Sequence, residues 1–304
     1  MTGESSQNPW IMAARPKTLP AGAGPVLIGL SLAGSLNNLD WTIAFLTLIC
    51  ALLLQISSNL INDYYDGVKG LDKEDRLGPP RAVALGLLIP NQVKKGFILT
   101  LALAFFVGLY LMYIGGLPII IIGLSSLFFA WAYTGGPFPL SYFGLGEVFA
   151  FLFFGPIAVY GTWFLQTKIS GVPPTDVLLM GSSVGLISSA LMGVNNLRDI
   201  VGDKREGKTT LATLIGDHTM RKIIVLFLIL GQILGFFVLV ERNSNLIIVA
   251  LIPMALFYKT WWQLLGTTVG KDLNNTLASV GKYLFLFSLT YSCLILMTNK
   301  TLGL

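Results

Sequence analysis

Residues 41–67 read WTIAFLTLICALLLQISSNLINDYYDG, an apolar run that ends in two carboxylates. The part from 41 to 62 carries no charge and is long enough to cross a bilayer, which takes roughly 20 mainly apolar residues. Five acids then follow within residues 63–75, namely Asp63, Asp66, Asp72, Glu74 and Asp75. Acidic groups beside hydrocarbon are rare and usually functional. The stretch therefore predicts a membrane helix with a functional acidic end.

The composition of the whole chain is that of an integral membrane protein. Its 304 residues are 54% hydrophobic and 12% charged, whereas soluble domains carry about 25% charged residues. The other charge-free windows are 18–39, 96–146, 148–167, 177–197, 223–240, 243–258 and 283–299. Window 96–146 is too long for one crossing and contains YIGGLP, a turn signal that divides it. We predict an all-α membrane protein with nine transmembrane helices and a single domain over residues 1–304.

The basic residues predict the orientation of these helices. With nine crossings and a cytoplasmic N-terminus, 17 of the 20 Lys and Arg residues fall on the cytoplasmic face, as the positive-inside rule requires. Only Lys168, Arg242 and Lys300 fall on the other face, where the C-terminus also lies. The net charge of +5 therefore indicates a multi-pass protein of the inner (cytoplasmic) membrane. We expect the lipid bilayer as a partner, no nucleic acid, and no obligate protein partner.

Two acidic motifs end predicted helices on the same face. The first contains Asn62, Asp66 and Asp72, and the second contains Asn195, Asp199 and Asp203. Each motif places Asn and Asp at positions i and i+4, which share one side of a helix. Clustered carboxylates repel each other unless a cation lies between them, and these all-oxygen ligands suit Mg²⁺. No His or Cys accompanies them, which argues against zinc. We therefore predict these six residues as Mg²⁺ ligands.

Basic residues surround both motifs and complete the pattern of a diphosphate site. Mg²⁺ commonly shares its coordination shell with substrate phosphates, and Arg and Lys bind the remaining phosphate oxygens. A diphosphate site that opens into an apolar bundle suits a substrate with a diphosphate head and a hydrocarbon tail. The predicted diphosphate-binding residues are Lys69, Arg76, Arg81, Arg198, Lys204 and Lys208.

At these residues the sequence resembles the UbiA superfamily of membrane prenyltransferases. The resemblance rests on four strings in order: ARPKTLPAGAGPVLIG (14–29), NDYYDGVKGLDKEDRLGPPRAV (62–83), AYTGGPFPLSYFGLGE (132–147) and NNLRDIVGDKREGKTTLATLIG (195–216). The six-residue spacing from Asp66 to Asp72, and the absence of a basic residue in YTGGPFPLSY (133–142), are most similar to the branch of 1,4-dihydroxy-2-naphthoate polyprenyltransferases of menaquinone biosynthesis. The resemblance implies nine helices around a central cavity with both acidic motifs at its cytoplasmic end.

The resemblance also implies a reaction and its residues. A polyprenyl group would pass from polyprenyl diphosphate to 1,4-dihydroxy-2-naphthoate, with loss of CO₂ and diphosphate, to give demethylmenaquinone. Mg²⁺ would be the cofactor, and Arg15 and Lys17 would lie near the aromatic carboxylate. The residues expected to act directly in catalysis are Asp66, Asp72, Asp199, Asp203 and Tyr133.

Two alternatives remain open at this stage. One keeps the chemistry but changes a substrate: phytyl transfer to the naphthoate, or 4-hydroxybenzoate or homogentisate as acceptor. The other is a divalent-cation-linked transporter, which would require acids near the middle of the membrane. The acids of this chain lie mainly at predicted helix ends, which disfavours transport.

Overall fold

The computed structural model describes residues 8–70, 77–78 and 81–298. These residues form helices and no β-strand, as predicted, apart from an isolated bridge between Phe143 and Thr209. The α-helices are α1 Pro9–Ala14, α2 Leu19–Gly34, α3 Trp41–Val68, α4 Pro90–Ala132, α5 Gly146–Phe153, α6 Pro156–Thr167, α7 Thr175–Arg205, α8 Leu211–Ile215, α9 Asp217–Glu241, α10 Ile252–Leu256, α11 Tyr258–Leu265 and α12 Leu273–Leu296. Short 3₁₀ helices cover Pro16–Thr18, Leu140–Tyr142, Ile247–Leu251 and Gly270–Asp272.

Local sequence accounts for where the long helices begin. Asp40 caps α3, because its Oδ1 accepts from the backbone N–H groups of Thr42 at 2.8 Å and Ile43 at 3.0 Å. Helices α4 and α6 begin at Pro90 and Pro156, where proline loses no helical hydrogen bond and its φ is already helical. Helix α3 therefore begins at Trp41, directly after Asp40, which is the last charged residue before the apolar run.

The membrane-length helices number fewer than predicted when counted by length and composition. Among the described residues, six segments are long and apolar enough to cross a bilayer: 41–68, 90–132, 146–167, 175–205, 217–241 and 270–296. A seventh crossing results if the pair 247–256 and 258–265, bent by 51°, is one span. This count does not confirm nine crossings. The difference arises because α2 has only 16 residues and because α4 is counted once.

Helix α4 is interrupted at the predicted turn signal. Gly116 has φ 61° and ψ −152°, a backbone conformation that is not helical and that glycine adopts readily. A Cβ on Gly123 would lie 2.4 Å from the Cε atom of Met112. Eleven residues of straight helix would separate these two positions by about 16 Å. The chain therefore turns back at Gly116, and the two arms of α4 pack against each other.

Helix α7 lies at the centre of the bundle and contacts its neighbours through small residues. Val184, Ile187 and Ala190 are fully buried along it. A Cβ on Gly155, at the break between α5 and α6, would lie 2.6 Å from the carbonyl oxygen of Gly181. Small residues spaced by four allow such close contact between membrane helices. This packing brings the first half of α7 close to the break between α5 and α6.

The end of the bundle remote from the acidic motifs is closed by a buried ion pair. Arg242, which follows α9, contacts Asp176 at the start of α7, and both side chains are buried. Arg242 Nη1 also donates to Ser35 Oγ at 3.0 Å and Thr298 Oγ1 at 3.3 Å. The cluster joins the ends of four helices. From Asp176 to Asp199 along α7 the distance is about 35 Å, slightly more than the roughly 30 Å of a membrane's hydrocarbon core.

Candidate active site

A single cavity of about 1050 Å³ lies between the helices and receives both acidic motifs. Helices α3 and α7 end at its polar end, so that Asp66 and Asp199 line the same space although they are far apart in sequence. The rest of its wall is mainly apolar and comes from α2, α4, α5, α6 and α12. The predicted ligands within the described residues that line it are Asn62, Asp66, Asn195, Asp199 and Asp203. Asp72 and Arg76 lie outside the described residues.

The first motif lies on the last two turns of α3. Arg81 donates through Nη1 to Asp66 Oδ2 and, at 3.1 Å, to the carbonyl oxygen of Asn62. The Asn62 Oδ1 atom accepts from the hydroxyl of Thr134 in the loop after α4. Asp63 points elsewhere: it is buried and accepts from the backbone N–H groups of Ala82 and Val83, each at 3.2 Å. Asp63 therefore caps the returning loop.

The second motif is organised by Arg198. Its Nε and Nη2 atoms donate to the two carboxylate oxygens of Asp199 at 2.8 and 2.6 Å, and Nη2 also donates to Asn195 Oδ1 at 2.9 Å. One turn further, Asp203 Oδ1 lies 3.4 Å from the Lys208 ammonium. The other oxygen, Asp203 Oδ2, is buried and has no hydrogen-bond partner among the described residues.

These oxygen atoms fit a magnesium ion that shares its ligands with a substrate. In the described part of the chain, no group of three or more His, Cys, Asp or Glu side chains could hold a metal alone. Mg²⁺, however, is commonly bound by one or two carboxylates together with water and phosphate oxygens. The unpartnered Asp203 Oδ2 and the amide oxygens of Asn62 and Asn195 supply this kind of ligand at one cavity. The donor set therefore fits Mg²⁺ in the presence of a diphosphate.

A polar wall of the cavity is formed by α3 and the segment before α2. Asn59 Nδ2 donates to Thr18 Oγ1 at 2.9 Å, and Gln55 Nε2 lies 3.4 Å from the same hydroxyl. Two buried atoms on this wall have no hydrogen-bond partner among the residues described, namely Gln55 Oε1 and Arg15 Nη2. Burial, and then the nearby Arg81, lower the pKa of Arg15 to about 10, so it is still protonated at neutral pH. The wall thus presents one acceptor atom and one guanidinium N–H group, each without a hydrogen-bond partner among the described residues.

An aromatic wall lies on α4 and α5. The ring centroids of Phe129 and Phe149 are 4.9 Å apart, and those of Phe129 and Phe153 are 5.3 Å apart. Tyr133, at the end of α4, also lines the cavity, and its hydroxyl lies 3.7 Å from the sulfur of Met192. Aromatic faces attract cations and exclude water. The predicted residue Tyr133 therefore lies in the cavity together with three phenylalanines that the sequence did not single out.

The remaining predicted basic residues divide into two groups. Lys17 and Lys208 line the cavity. Lys69 and Lys204 are exposed and are not among the lining residues, and the Lys69 ammonium lies 5.0 Å from the ring centroid of Tyr142. Arg205, one residue after Lys204, lines the cavity instead. Adjacent residues of a helix point about 100° apart, so the rotation of α7 decides that the exposed Arg205, and not Lys204, borders the cavity.

Two further polar residues line the cavity and were not predicted from the sequence. Gln55 lies within an apolar run, four residues and so about one helical turn before Asn59. A polar side chain at that position was the only feature of the sequence that could have indicated a cavity residue. Asn274, at the start of α12, accepts from Arg198 Nη1 at 3.0 Å and donates to the carbonyl oxygen of Leu77 at 2.7 Å. Asn274 lies 76 residues from Arg198 and 197 residues from Leu77 in the sequence, so no local pattern could predict these contacts.

Fold and site together define a class: an all-helical membrane protein whose cavity carries carboxylates, amides and arginines at one end and apolar side chains elsewhere. The model of the UbiA prenyltransferase family matches residues 23–289. The chain belongs to that family.

Relatives and solved structures agree with this assignment. The chain is 38% identical over 219 residues to the 1,4-dihydroxy-2-naphthoate octaprenyltransferase of Escherichia coli, covering 70% of each protein. It is 36% identical over 248 residues to the protein of that name from Mycobacterium tuberculosis, covering 81% of this chain and 83% of that one. The fold is similar to that of a UbiA homolog from Archaeoglobus fulgidus bound to DMAPP and Mg²⁺, with a TM-score of 0.63 and 16% identity over 95% of this chain and 99% of that chain.

Proposed function

We propose that this protein is a membrane-bound prenyltransferase that transfers a polyprenyl group from polyprenyl diphosphate to 1,4-dihydroxy-2-naphthoate. The observation that carries the proposal is the convergence of both acidic motifs and two arginines on one cavity whose remaining wall is apolar. The relatives that bear this activity in their names support the choice of acceptor. The transporter alternative is not favoured, because the motif acids lie at helix ends.

The diphosphate of the donor is proposed to bind at the polar end. Arg81 and Arg198 present guanidinium groups there, which can each bind two phosphate oxygens, and Lys208 adds a point charge. Mg²⁺, when bound by Asn62, Asp66, Asn195, Asp199 and Asp203, would neutralise the diphosphate and stabilise it as a leaving group. We propose Asp72, Arg76, Lys69 and Lys204 as further residues of this end, on the sequence pattern alone.

The hydrocarbon part of the donor is proposed to lie along the aromatic wall. When the allylic C–O bond breaks, the bonding electrons leave with the diphosphate and positive charge develops on the allylic carbon. The faces of Phe129 and Tyr133 can stabilise that charge, and the surrounding apolar side chains keep water from capturing it. Tyr133 is thus proposed to act on the cation through its ring.

The aromatic acceptor is proposed to lie against the polar wall. Its carboxylate would pair with the unpartnered Arg15 Nη2 near Lys17, and a ring hydroxyl would donate to Gln55 Oε1. The ring carbon then attacks the allylic carbon, and the carboxyl group leaves as CO₂. Because this exchange uses no oxidant, the immediate product is demethylmenaquinone in its reduced, quinol form.

We also propose the topology implied by the sequence. Counting α2 as one crossing, and the two arms of α4 as separate crossings, gives nine with the bent pair. The distribution of Lys and Arg favours a cytoplasmic N-terminus and places the acidic motifs on the cytoplasmic face of the inner membrane. The C-terminus would then lie on the opposite side.

The function is tested by a comparison of acceptors. Purified protein in lipid nanodiscs is supplied with Mg²⁺, a long polyprenyl diphosphate and, separately, 1,4-dihydroxy-2-naphthoate, 4-hydroxybenzoate or homogentisate. We expect prenylated product and released CO₂ only with the naphthoate. A parallel reaction with phytyl diphosphate in place of the polyprenyl diphosphate shows which of the two donors the protein uses. Turnover of another ring, with none of the naphthoate, would overturn the proposal.

Replacement of Gln55 tests the acceptor site. In Gln55→Met the side chain keeps a similar length but cannot accept the hydroxyl proton. We expect the KM for the naphthoate to rise about tenfold, the value of one buried hydrogen bond, while the KM for the prenyl diphosphate stays unchanged. The matched control is Gln263→Met on the exposed face of α11. Equal changes in both KM values would contradict a role in acceptor recognition.

A further inference from the structure

Each acidic motif is occupied by an arginine of its own. Arg198 binds both carboxylate oxygens of Asp199 and the amide oxygen of Asn195, and Arg81 binds a carboxylate oxygen of Asp66. Side chains that are adjacent on a helix diverge, so the guanidinium of Arg198 must fold back along α7 to reach Asp199. The two arginines therefore contact the same oxygen atoms that are proposed as ligands of Mg²⁺.

A guanidinium and a metal ion cannot share these oxygens without strong repulsion. The side chains of Arg81 and Arg198 are almost fully buried, with 9% and 2% of their surface exposed, so water screens little of that repulsion. When Arg198 is displaced from Asp199 it needs another anion, because an unpaired buried charge is very unfavourable. The diphosphate is the anion that would arrive at this place.

We propose that Arg81 and Arg198 are internal counter-ions, which hold the ligand oxygens before Mg²⁺ binds and move onto the diphosphate when it does. This inference rests on the proposed function, since it takes Mg²⁺ and a diphosphate as the ligands. Its consequence is that free Mg²⁺ binds weakly and that metal and diphosphate strengthen each other's binding. Such coupling is reciprocal between the two ligands.

Asn274 provides the fixed point for this movement. It accepts from Arg198 Nη1 through an oxygen that is not a proposed metal ligand, and its own amide is held by the carbonyl oxygen of Leu77. Arg198 can therefore exchange its contacts with Asp199 and Asn195 while keeping one bond. Asn274 is a positioning residue in this scheme.

The test is calorimetric titration of MgCl₂ into purified protein without any substrate. We expect Arg198→Gln to bind Mg²⁺ about tenfold more tightly than the unchanged protein, because the competing cation is gone, and to bind a prenyl thiolodiphosphate about tenfold more weakly. Arg198→Lys, which keeps the charge but cannot bind both carboxylate oxygens, should also bind Mg²⁺ more tightly. Arg81→Gln is the second variant and should behave as Arg198→Gln does.

The control is Lys17→Gln, which removes the same charge from an exposed residue of the cavity rim. If Lys17→Gln strengthens Mg²⁺ binding as much as Arg198→Gln does, general electrostatics explains the effect and the inference is wrong. If neither arginine variant binds Mg²⁺ more tightly while the unchanged protein still prenylates the naphthoate, the inference fails and the proposed function stands. Failure of the proposed function appears separately, as absence of prenylated product.

Discussion

Replacing Asp199 with alanine is expected to abolish prenyl transfer while the protein remains in the membrane. Asp199 lines the polar end of the cavity and is held there by Arg198, beside the proposed position of the diphosphate. Loss of such electrostatic stabilisation in a site shielded from water costs at least about 100-fold in kcat. Asp66→Ala should have the same effect on the other side of the cavity. Product formation in nanodiscs measures the activity of both variants. The yield of protein from the membrane fraction measures their folding.

Matched variants separate this effect from a loss of folding. Asp199→Asn keeps the shape and can keep one of the two hydrogen bonds from Arg198, but it removes the charge and should also be inactive. Asp272→Ala, an exposed aspartate before α12, should behave as the unchanged protein does. Normal turnover in Asp66→Ala or Asp199→Ala would count against the assignment of the diphosphate site.

Replacing Arg242 with methionine is expected to cause the largest loss of stability. The substitution leaves Asp176 as a buried charge without its arginine at the remote end of the bundle. Breaking a buried ion pair by removing one partner costs about 3–5 kcal/mol. Reversible unfolding in mixed detergent micelles measures the change in the free energy of unfolding.

The double variant Asp176→Leu/Arg242→Met serves as the control for this prediction. Replacement of both buried charges by apolar groups removes the carboxylate that would lose its arginine, so most of the lost stability should return. The kcat of the folded fraction should not change, because the pair lies about 35 Å from the acidic motifs along α7. A single variant as stable as the unchanged protein would contradict the structural role of Arg242.

Several features of the fold could be predicted because their causes are local. Apolar runs of membrane length and the turn signal at Gly116 predicted the helices and the break in α4. The spacing of Asn62 from Asp66, and of Asn195 from Asp199, places each pair on one side of its helix wherever that helix packs. The number of crossings was less secure, because α2 is short and its role depends on its neighbours.

Other features depend on residues that are distant in sequence. The sequence around Asp63 is compatible with a metal ligand and with a residue that caps a loop. The structure shows the cap, because Asp63 accepts from the backbone N–H groups of Ala82 and Val83. Both Lys204 and Arg205 are exposed, and the rotation of α7 in the bundle decides that Arg205 and not Lys204 borders the cavity. The pairing of Arg198 with Asn274 likewise requires α7 and α12 to lie side by side.

The amino-acid sequence by itself determined that this is a helical membrane protein with two oxygen-rich helix ends, because hydropathy and i, i+4 spacing act within one helix. Only the tertiary structure decided that the two ends face one cavity, that arginines contact their oxygens, and that two buried atoms there, Gln55 Oε1 and Arg15 Nη2, lack a hydrogen-bond partner among the described residues. These are contacts between different helices. They depend on how whole helices pack and rotate against each other, which no short stretch of the chain encodes.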